Sequence, residues 1–177
     1  MTENEKRIAE NRELVRKFPF LKPAGDERYD FEWTYLDDIP EGWKKAFGEQ
    51  MCAEIAECLR EHHCEDGFEV LQAKEKYGSL RLYMVGGPSE LDDIIGKYEE
   101  LSAKTCVGCG KPAEYISIGW IAPWCGDCAM ENAKEGAFPQ RYVKVSHWFG
   151  GDMNAPVMEG DSLIAEIKRE KGCEDNG

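Results

Sequence analysis

Four cysteines in the second half of the chain have the spacing of a metal site. Cys106 and Cys109 are separated by two residues, and Cys125 and Cys128 repeat that spacing after an interval of fifteen residues. A Cys-x2-Cys turn places two thiolates on one edge of a tetrahedron, and two such turns supply the four sulfur ligands that structural Zn²⁺ takes. The spacing therefore predicts one structural Zn²⁺ per chain, bound by these four residues.

The second cysteine pair also resembles a redox motif. Pro123–Cys128 reads PWCGDC, which is similar to the Trp-Cys-Gly-Pro-Cys active site of thioredoxins. Asp127 stands where that family has proline, and only 49 residues follow Cys128, which is short for the rest of the thioredoxin fold. A thiol oxidoreductase acting through Cys125 and Cys128 is the third functional hypothesis; its thiols would be accessible and free of metal.

The other cysteines do not form a comparable pattern. Cys52, Cys58 and Cys64 are six residues apart, so on a helix they do not share one face. We expect them to be small core or half-exposed residues, and the neighbouring His62-His63 pair to be a polar helix end and not a second metal site. Cys173 lies in a polar tail and is expected to be exposed.

A cluster of positive charge occurs around one predicted turn. Lys74, Lys76 and Arg81 surround Tyr77 in a segment that is not dominated by acidic residues. This segment could contact phosphate and stack on a base, which gives the second functional hypothesis: a nucleic-acid-binding module that uses this hairpin and the zinc lobe. The competing interpretation, which we favour, is a solvated hairpin whose cations pair with nearby carboxylates.

The overall charge argues for a basic partner. The chain has 177 residues, with 22 Lys and Arg against 35 Asp and Glu, for a formal net charge of −13. This charge is spread over the whole chain, and it argues against a general binder of nucleic acid or anionic membranes. The first twenty residues contain no apolar run typical of a signal peptide, and we predict a cytoplasmic protein without a transmembrane segment.

The remaining patterns predict an α+β fold: a helix-and-hairpin body that carries a small treble-clef-like or ribbon-like zinc lobe with four cysteine ligands. The body spans 1–103, the lobe spans 104–135, and 136–177 forms a C-terminal strand and short helix with a frayed tail. Within these regions we predict a short helix at 5–17, a strand at Tyr29–Leu36, a long helix at about 41–65, a hairpin at about 68–85, a helix at about 89–103, a strand at Arg141–His147 and a last helix from Asp161 or Ser162 to Lys171.

Four segments together resemble a group of small proteins encoded by bacterial phages and prophages, most of which have no assigned activity. The segments are Phe18–Leu21, Tyr35–Gly48, Lys74–Tyr83 and Tyr98–Cys128. The resemblance implies a non-enzymatic inhibitor of the anti-CRISPR type, which binds the type II RNA-guided DNA nuclease of the host cell and impedes DNA binding or cleavage. Such nucleases hold nucleic acid in positively charged channels, which suits an acidic ligand. The chain also has no Walker loop, no nucleophile elbow and no His-Glu-x-x-His motif.

Overall fold

The structure is a computed structural model, which describes residues 1–23, 29–135 and 140–172. It is a mixed α+β fold, as the sequence predicts. Within the described residues, no helix combines the length and the apolar character needed to cross a membrane. The elements are α1 (Glu3–Lys17), α2 (Glu41–Trp43), a π-helical segment (Lys44–Gly48), α3 (Glu49–Glu61), β1 (Glu69–Lys76), β2 (Ser79–Val85), α4 (Glu90–Ser102), β3 (Tyr115–Ile118), β4 (Ala122–Trp124), α5 (Gly126–Glu135), β5 (Arg141–Lys144), α6 (Val145–Gly150), β6 (Met158–Glu159) and α7 (Gly160–Glu170).

A long helix organises the larger core. It runs without a break through α2, the π-helical segment and α3, and it ends at Glu61 instead of continuing to residue 65. Five apolar side chains spaced four residues apart are almost completely buried along it: Trp43, Phe47, Met51, Ile55 and Leu59. A four-residue spacing drifts around an ordinary α-helix, and the wider π turn at Lys44–Gly48 offsets that drift at its start. The helix therefore presents all five side chains to the same core.

The β1–β2 hairpin and α4 cover this core. Lys76 pairs with Ser79 in the antiparallel register, so the turn consists of Tyr77 and Gly78 alone. Both turn residues have positive φ, at 53° and 78°, which is the backbone of a type I′ turn. Gly78 adopts this conformation freely, whereas Tyr77 adopts it at a conformational cost.

The predicted strand at Tyr29–Leu36 is wrong. The described chain is irregular there and passes into a 3₁₀ turn at Tyr35–Asp38. The alternating aromatic residues instead pack as pairs of neighbouring rings. The Tyr29 and Phe31 ring centres are 4.8 Å apart, and those of Trp33 and Tyr35 are 5.1 Å apart. Phe31 has a φ of 67°, which a strand does not accommodate.

A half-buried carboxylate ties this loop to the helices. Asp37 accepts hydrogen bonds from the Thr34 N–H at 2.7 Å, from Asn11 Nδ2 at 3.0 Å and from Lys44 Nζ at 2.5 Å. Burial acts to raise the pKa of Asp37, but the hydrogen bonds from Lys44 and Thr34 outweigh it and hold the pKa below its usual value. Asp37 is thus an ionised carboxylate that links α1, the loop and the long helix.

A second core joins the cysteine region to the C-terminal segment. Strands β3 to β6 form one antiparallel sheet in the order β4-β3-β5-β6, and α7 packs against α5. The buried residues of this second core are Tyr115, Ala129, Tyr142, Leu163 and Ile167. The strand predicted at Arg141–His147 ends at Lys144, where α6 begins. The described C-terminal residues therefore pack with the cysteine lobe through β5, β6 and α7.

Candidate metal centre

The four predicted cysteines form one group. The sulfur atoms of Cys106, Cys109, Cys125 and Cys128 all lie within 4.8 Å of one another, and the Cys109 and Cys125 sulfurs are 3.5 Å apart. A Zn²⁺ ion held at about 2.3 Å from four sulfurs requires sulfur–sulfur distances of about 3.8 Å. No other group of His, Cys, Asp and Glu side chains in the described residues is close enough to hold a metal. The structure therefore confirms a four-cysteine site that is compatible with metal binding.

The first cysteine pair lies on a tight turn that is closed by main-chain hydrogen bonds. The Gly110 N–H donates to the Cys106 carbonyl at 3.0 Å, and the Cys106 N–H donates to the Lys111 carbonyl at 2.8 Å. The Lys111 N–H in turn donates to the Cys109 sulfur. This arrangement requires a φ of +81° at Gly110, a conformation that glycine adopts without strain. The turn, residues 106–110, is called the first knuckle below.

The second cysteine pair lies at the start of α5. Cys125 directly follows β4, and Cys128 lies in the first turn of the helix, whose N-terminus favours negative charge. The Cys128 N–H donates to the Cys125 sulfur. Asp127, between the cysteines, pairs with Lys111 at 3.5 Å and with Lys171. Two lysines therefore lie next to a site that carries surplus negative charge when its thiols are ionised.

Burial and hydrogen bonds shift the pKa values of three of these thiols, Cys109, Cys125 and Cys128, in different directions. Burial raises the pKa of Cys125 to about 11 and raises the pKa of Cys128 as well. Burial also acts to raise the pKa of Cys109, but the Lys111 N–H and the other sulfurs outweigh it and lower that pKa. Four clustered sulfurs cannot all ionise without a compensating cation, and a divalent metal provides that charge as it displaces the protons.

The first knuckle is docked directly onto the long helix. The Gly42 N–H donates to the Val107 carbonyl at 2.9 Å. A Cβ atom at Gly42 would lie 2.2 Å from the Cys106 carbonyl oxygen and 2.7 Å from the Gly110 nitrogen. Only glycine allows this approach of two main chains, so the site and the larger core are held in one fixed arrangement. Gly42 was not predicted as a functional residue; the signal in the sequence was a glycine inside a predicted helix, where glycine costs about 1 kcal/mol.

The predicted cations share one face of the hairpin, because Lys74 lies directly opposite Arg81 and two residues from Lys76, but each has a local contact. Arg81 pairs with Glu99 at 3.3 Å. Lys74 lies over a tyrosine ring of the opposite strand at 5.0 Å, and Lys76 lies over the ring of Tyr77 at 5.7 Å. Tyr77 is 77% exposed. The Arg81 contact agrees with the interpretation in which the cations pair locally, whereas the two lysines have no carboxylate partner among the described residues.

The other described cysteines are free thiols outside the metal group. Cys52 and Cys58 are buried, and Cys64 is half-buried at the end of the long helix. Burial raises the pKa of Cys52 to about 12, so this thiol is inert at neutral pH. Cys173 lies outside the described residues.

Comparison of the chain with protein-family models, curated proteins and solved structures gives no match.

Proposed function

We propose that the four cysteines hold one structural Zn²⁺ and that the chain is a non-enzymatic binding protein with a basic protein as its partner. The observation that carries the metal proposal is the convergence of four sulfurs from two turns that are far apart in sequence. A turn, a β-hairpin and a helix N-terminus follow one another along the chain, and this order supports the treble-clef form of the predicted zinc lobe. Zn²⁺ then cross-links the first knuckle to α5.

A structural role for the ion follows from the ligand set. Four cysteine sulfurs fill a tetrahedral coordination shell, whereas catalytic zinc sites keep one position for water or substrate. Structural Zn²⁺ contributes about 10–16 kcal/mol to the folding of small zinc-finger peptides at neutral pH. We therefore expect the ion to stabilise the lobe and, through Gly42, to hold the lobe against the long helix.

The burial of Cys125 supports this role over thiol redox catalysis. Cys125 is 2% exposed, and its pKa is raised and not lowered. A redox-active cysteine is accessible and has a lowered pKa. The thiol oxidoreductase hypothesis predicts reduction of a disulfide substrate by the purified protein, and the zinc proposal predicts no such activity.

An exposed group of carboxylates supports the choice of a basic partner. The end of the long helix lies next to the start of α4, where His62 Nε2 is 3.9 Å from a Glu90 carboxylate oxygen. Six acidic residues are exposed here, and none of them pairs with a lysine or arginine in the described part of the chain: Glu61, Glu65, Asp66, Glu90, Asp92 and Asp93. We call this surface the acidic end. Such a surface speeds association with a positively charged protein and makes the association sensitive to salt.

The resemblance to phage and prophage proteins supplies the particular partner to test, the type II RNA-guided DNA nuclease of the host. We infer that the acidic end occupies or borders a positively charged channel of that nuclease. The protein would then impede DNA binding or cleavage without chemistry of its own.

The experiment is a DNA cleavage assay with the guide-loaded nuclease and a stoichiometric excess of this protein. We expect cleavage to fall and the complex to weaken as salt is raised. The double variant Glu65→Gln/Glu90→Gln removes two charges from the acidic end, and Glu10→Gln/Glu131→Gln removes two exposed charges from α1 and α5. Weaker inhibition by the first variant alone supports the proposal, and unchanged cleavage at excess wild-type protein rejects it.

The nucleic-acid hypothesis makes a different prediction. A protein that binds through the hairpin shifts DNA or RNA in a gel without any nuclease, and charge reversal at Lys74, Lys76 and Arg81 abolishes the shift. We expect no shift at physiological salt, because Arg81 is already paired with Glu99 and three cations provide few phosphate contacts.

A further inference from the structure

A groove lined by two tryptophans lies between the hairpin and the cysteine lobe. It has a volume of about 450 Å³, and its lining includes Asp38, Pro40, Glu75, Trp120 and Trp124. These five residues define what we call the tryptophan groove. Trp120 is 69% exposed, which is unusual for the largest apolar side chain and marks the groove as a candidate contact surface.

The walls of the groove are fixed in place. The buried Ser117 hydroxyl donates to the Trp120 carbonyl at 2.6 Å and accepts a hydrogen bond from Trp124 Nε1 at 3.0 Å. The hairpin tip packs against the same region, because a Cβ atom built on Gly78 would lie 3.1 Å from the Ile121 side chain. The Trp124 indole and the main chain at Trp120 are thus held before any ligand binds, and a preorganised site loses little entropy on binding.

The charge of the groove is negative. Asp38 uses one carboxylate oxygen to accept the Trp33 Nε1–H at 2.8 Å, and Glu75 uses one to accept the Gly78 N–H at 2.6 Å. Neither carboxylate forms an ion pair with any Lys, Arg or His side chain of the described ranges. Each therefore has a charge and a second oxygen available to a ligand.

We propose that the tryptophan groove binds an arginine side chain of the partner protein; this inference rests on the proposed function only for the choice of a basic protein as partner. A guanidinium group stacks on an indole ring and donates to carboxylates in the plane of the group at the same time. The lysine ammonium group has the same charge but no planar surface that stacks on an indole ring. The two carboxylates repel phosphate, so the groove disfavours nucleic acid although bases also stack on tryptophan.

The test uses a short peptide with two arginines in a glycine-serine background, together with versions that carry lysine or the uncharged analogue citrulline. Affinities are measured by calorimetric titration, and the indole N–H signals of the protein are followed by NMR. We expect the arginine peptide to bind about tenfold more tightly than the citrulline peptide and more tightly than the lysine peptide. Equal affinity for arginine and citrulline overturns the proposal.

Matched variants locate the binding site. We expect Trp120→Ala to weaken arginine-peptide binding about tenfold, and Asp38→Asn/Glu75→Gln to weaken it by a similar factor. Trp148→Ala removes another exposed tryptophan, on α6, and Glu10→Gln/Glu131→Gln removes two distant charges; both should bind as wild type. Equal losses in test and control variants indicate general charge attraction and overturn the proposal.

A single-stranded oligonucleotide is added as a competitor of the arginine peptide. If the oligonucleotide binds the groove of the wild type and Trp120→Ala abolishes this binding, nucleic acid is the occupant and the proposal is overturned. Failure of the groove is distinguishable from failure of the proposed function. The peptide assay contains no nuclease, so unchanged peptide binding in Trp120→Ala leaves the result of the cleavage assay intact.

Discussion

Replacement of Gly42 by alanine tests the contact that joins the metal lobe to the larger core. The added Cβ would lie 2.2 Å from the Cys106 carbonyl oxygen, against an ordinary contact of 3.4 Å or more. The obstructing atoms belong to main chain and cannot rotate away, so the start of the long helix must move by about 1 Å. That movement strains the Gly42–Val107 hydrogen bond at 2.9 Å and the bond from Trp43 Nε1 to the Thr105 carbonyl at 2.8 Å.

The expected loss in the free energy of unfolding follows from these contacts. Overpacking costs about 1–3 kcal/mol, and each weakened hydrogen bond costs about 1 kcal/mol. The higher helix propensity of alanine returns at most about 1 kcal/mol. We therefore expect Gly42→Ala to lower the free energy of unfolding by about 3 kcal/mol, which corresponds to a decrease in Tm of roughly 10 °C.

The assay is urea unfolding followed by tryptophan fluorescence and circular dichroism, with the same measurement on Gly96→Ala. Gly96 lies within α4 and has no atom within 4 Å of a built Cβ, so we expect that variant to be as stable as wild type or up to about 1 kcal/mol more stable. Equal stability of the two variants would refute the close approach of Gly42 to the first knuckle.

Two further perturbations test other parts of the fold. Asp37→Asn leaves Lys44 without its anion and should cost about 3 kcal/mol at pH 7, against less than about 0.5 kcal/mol for the exposed control Glu57→Gln. Because the folded-state pKa of Asp37 is lowered, its contribution is present above its usual value of 3.8 and is lost as pH falls below that value. The stability difference between wild type and Asp37→Asn should therefore shrink in urea melts at pH 3, and a constant difference contradicts the carboxylate network. Ser117→Ala removes the acceptor of Trp124 Nε1 and should lower stability by about 1–2 kcal/mol in urea melts. It should also weaken arginine-peptide binding in calorimetric titration without changing the zinc content, and unchanged peptide affinity contradicts the role of Ser117 in the groove.

The features that the sequence predicts well depend on signals within a few residues. The spacing of Cys106 and Cys109, repeated at Cys125 and Cys128, was sufficient to identify the four-cysteine group, because ligand spacing on a turn is a local property. The four-residue apolar spacing of the long helix is likewise a local signal, and all five of its side chains lie in the core.

Other features depend on contacts between distant residues. Strand β5 pairs with β3, for example Val143 opposite Ile116, and nothing near either residue shows that the C-terminal segment completes the sheet of the cysteine lobe. The alternation at Tyr29–Leu36 was misleading, since paired rings in a bent loop produce the same period as a strand. The close approach of Gly42 and Gly110 is visible only once both elements are placed.

The central claim is most directly tested by metal analysis of the purified protein together with Cys106→Ser. The account predicts about one zinc per chain in the wild type, well below one in the variant, and a variant that unfolds at much lower urea concentration. Well under one metal ion per wild-type chain, or unchanged stability of Cys106→Ser, would contradict it.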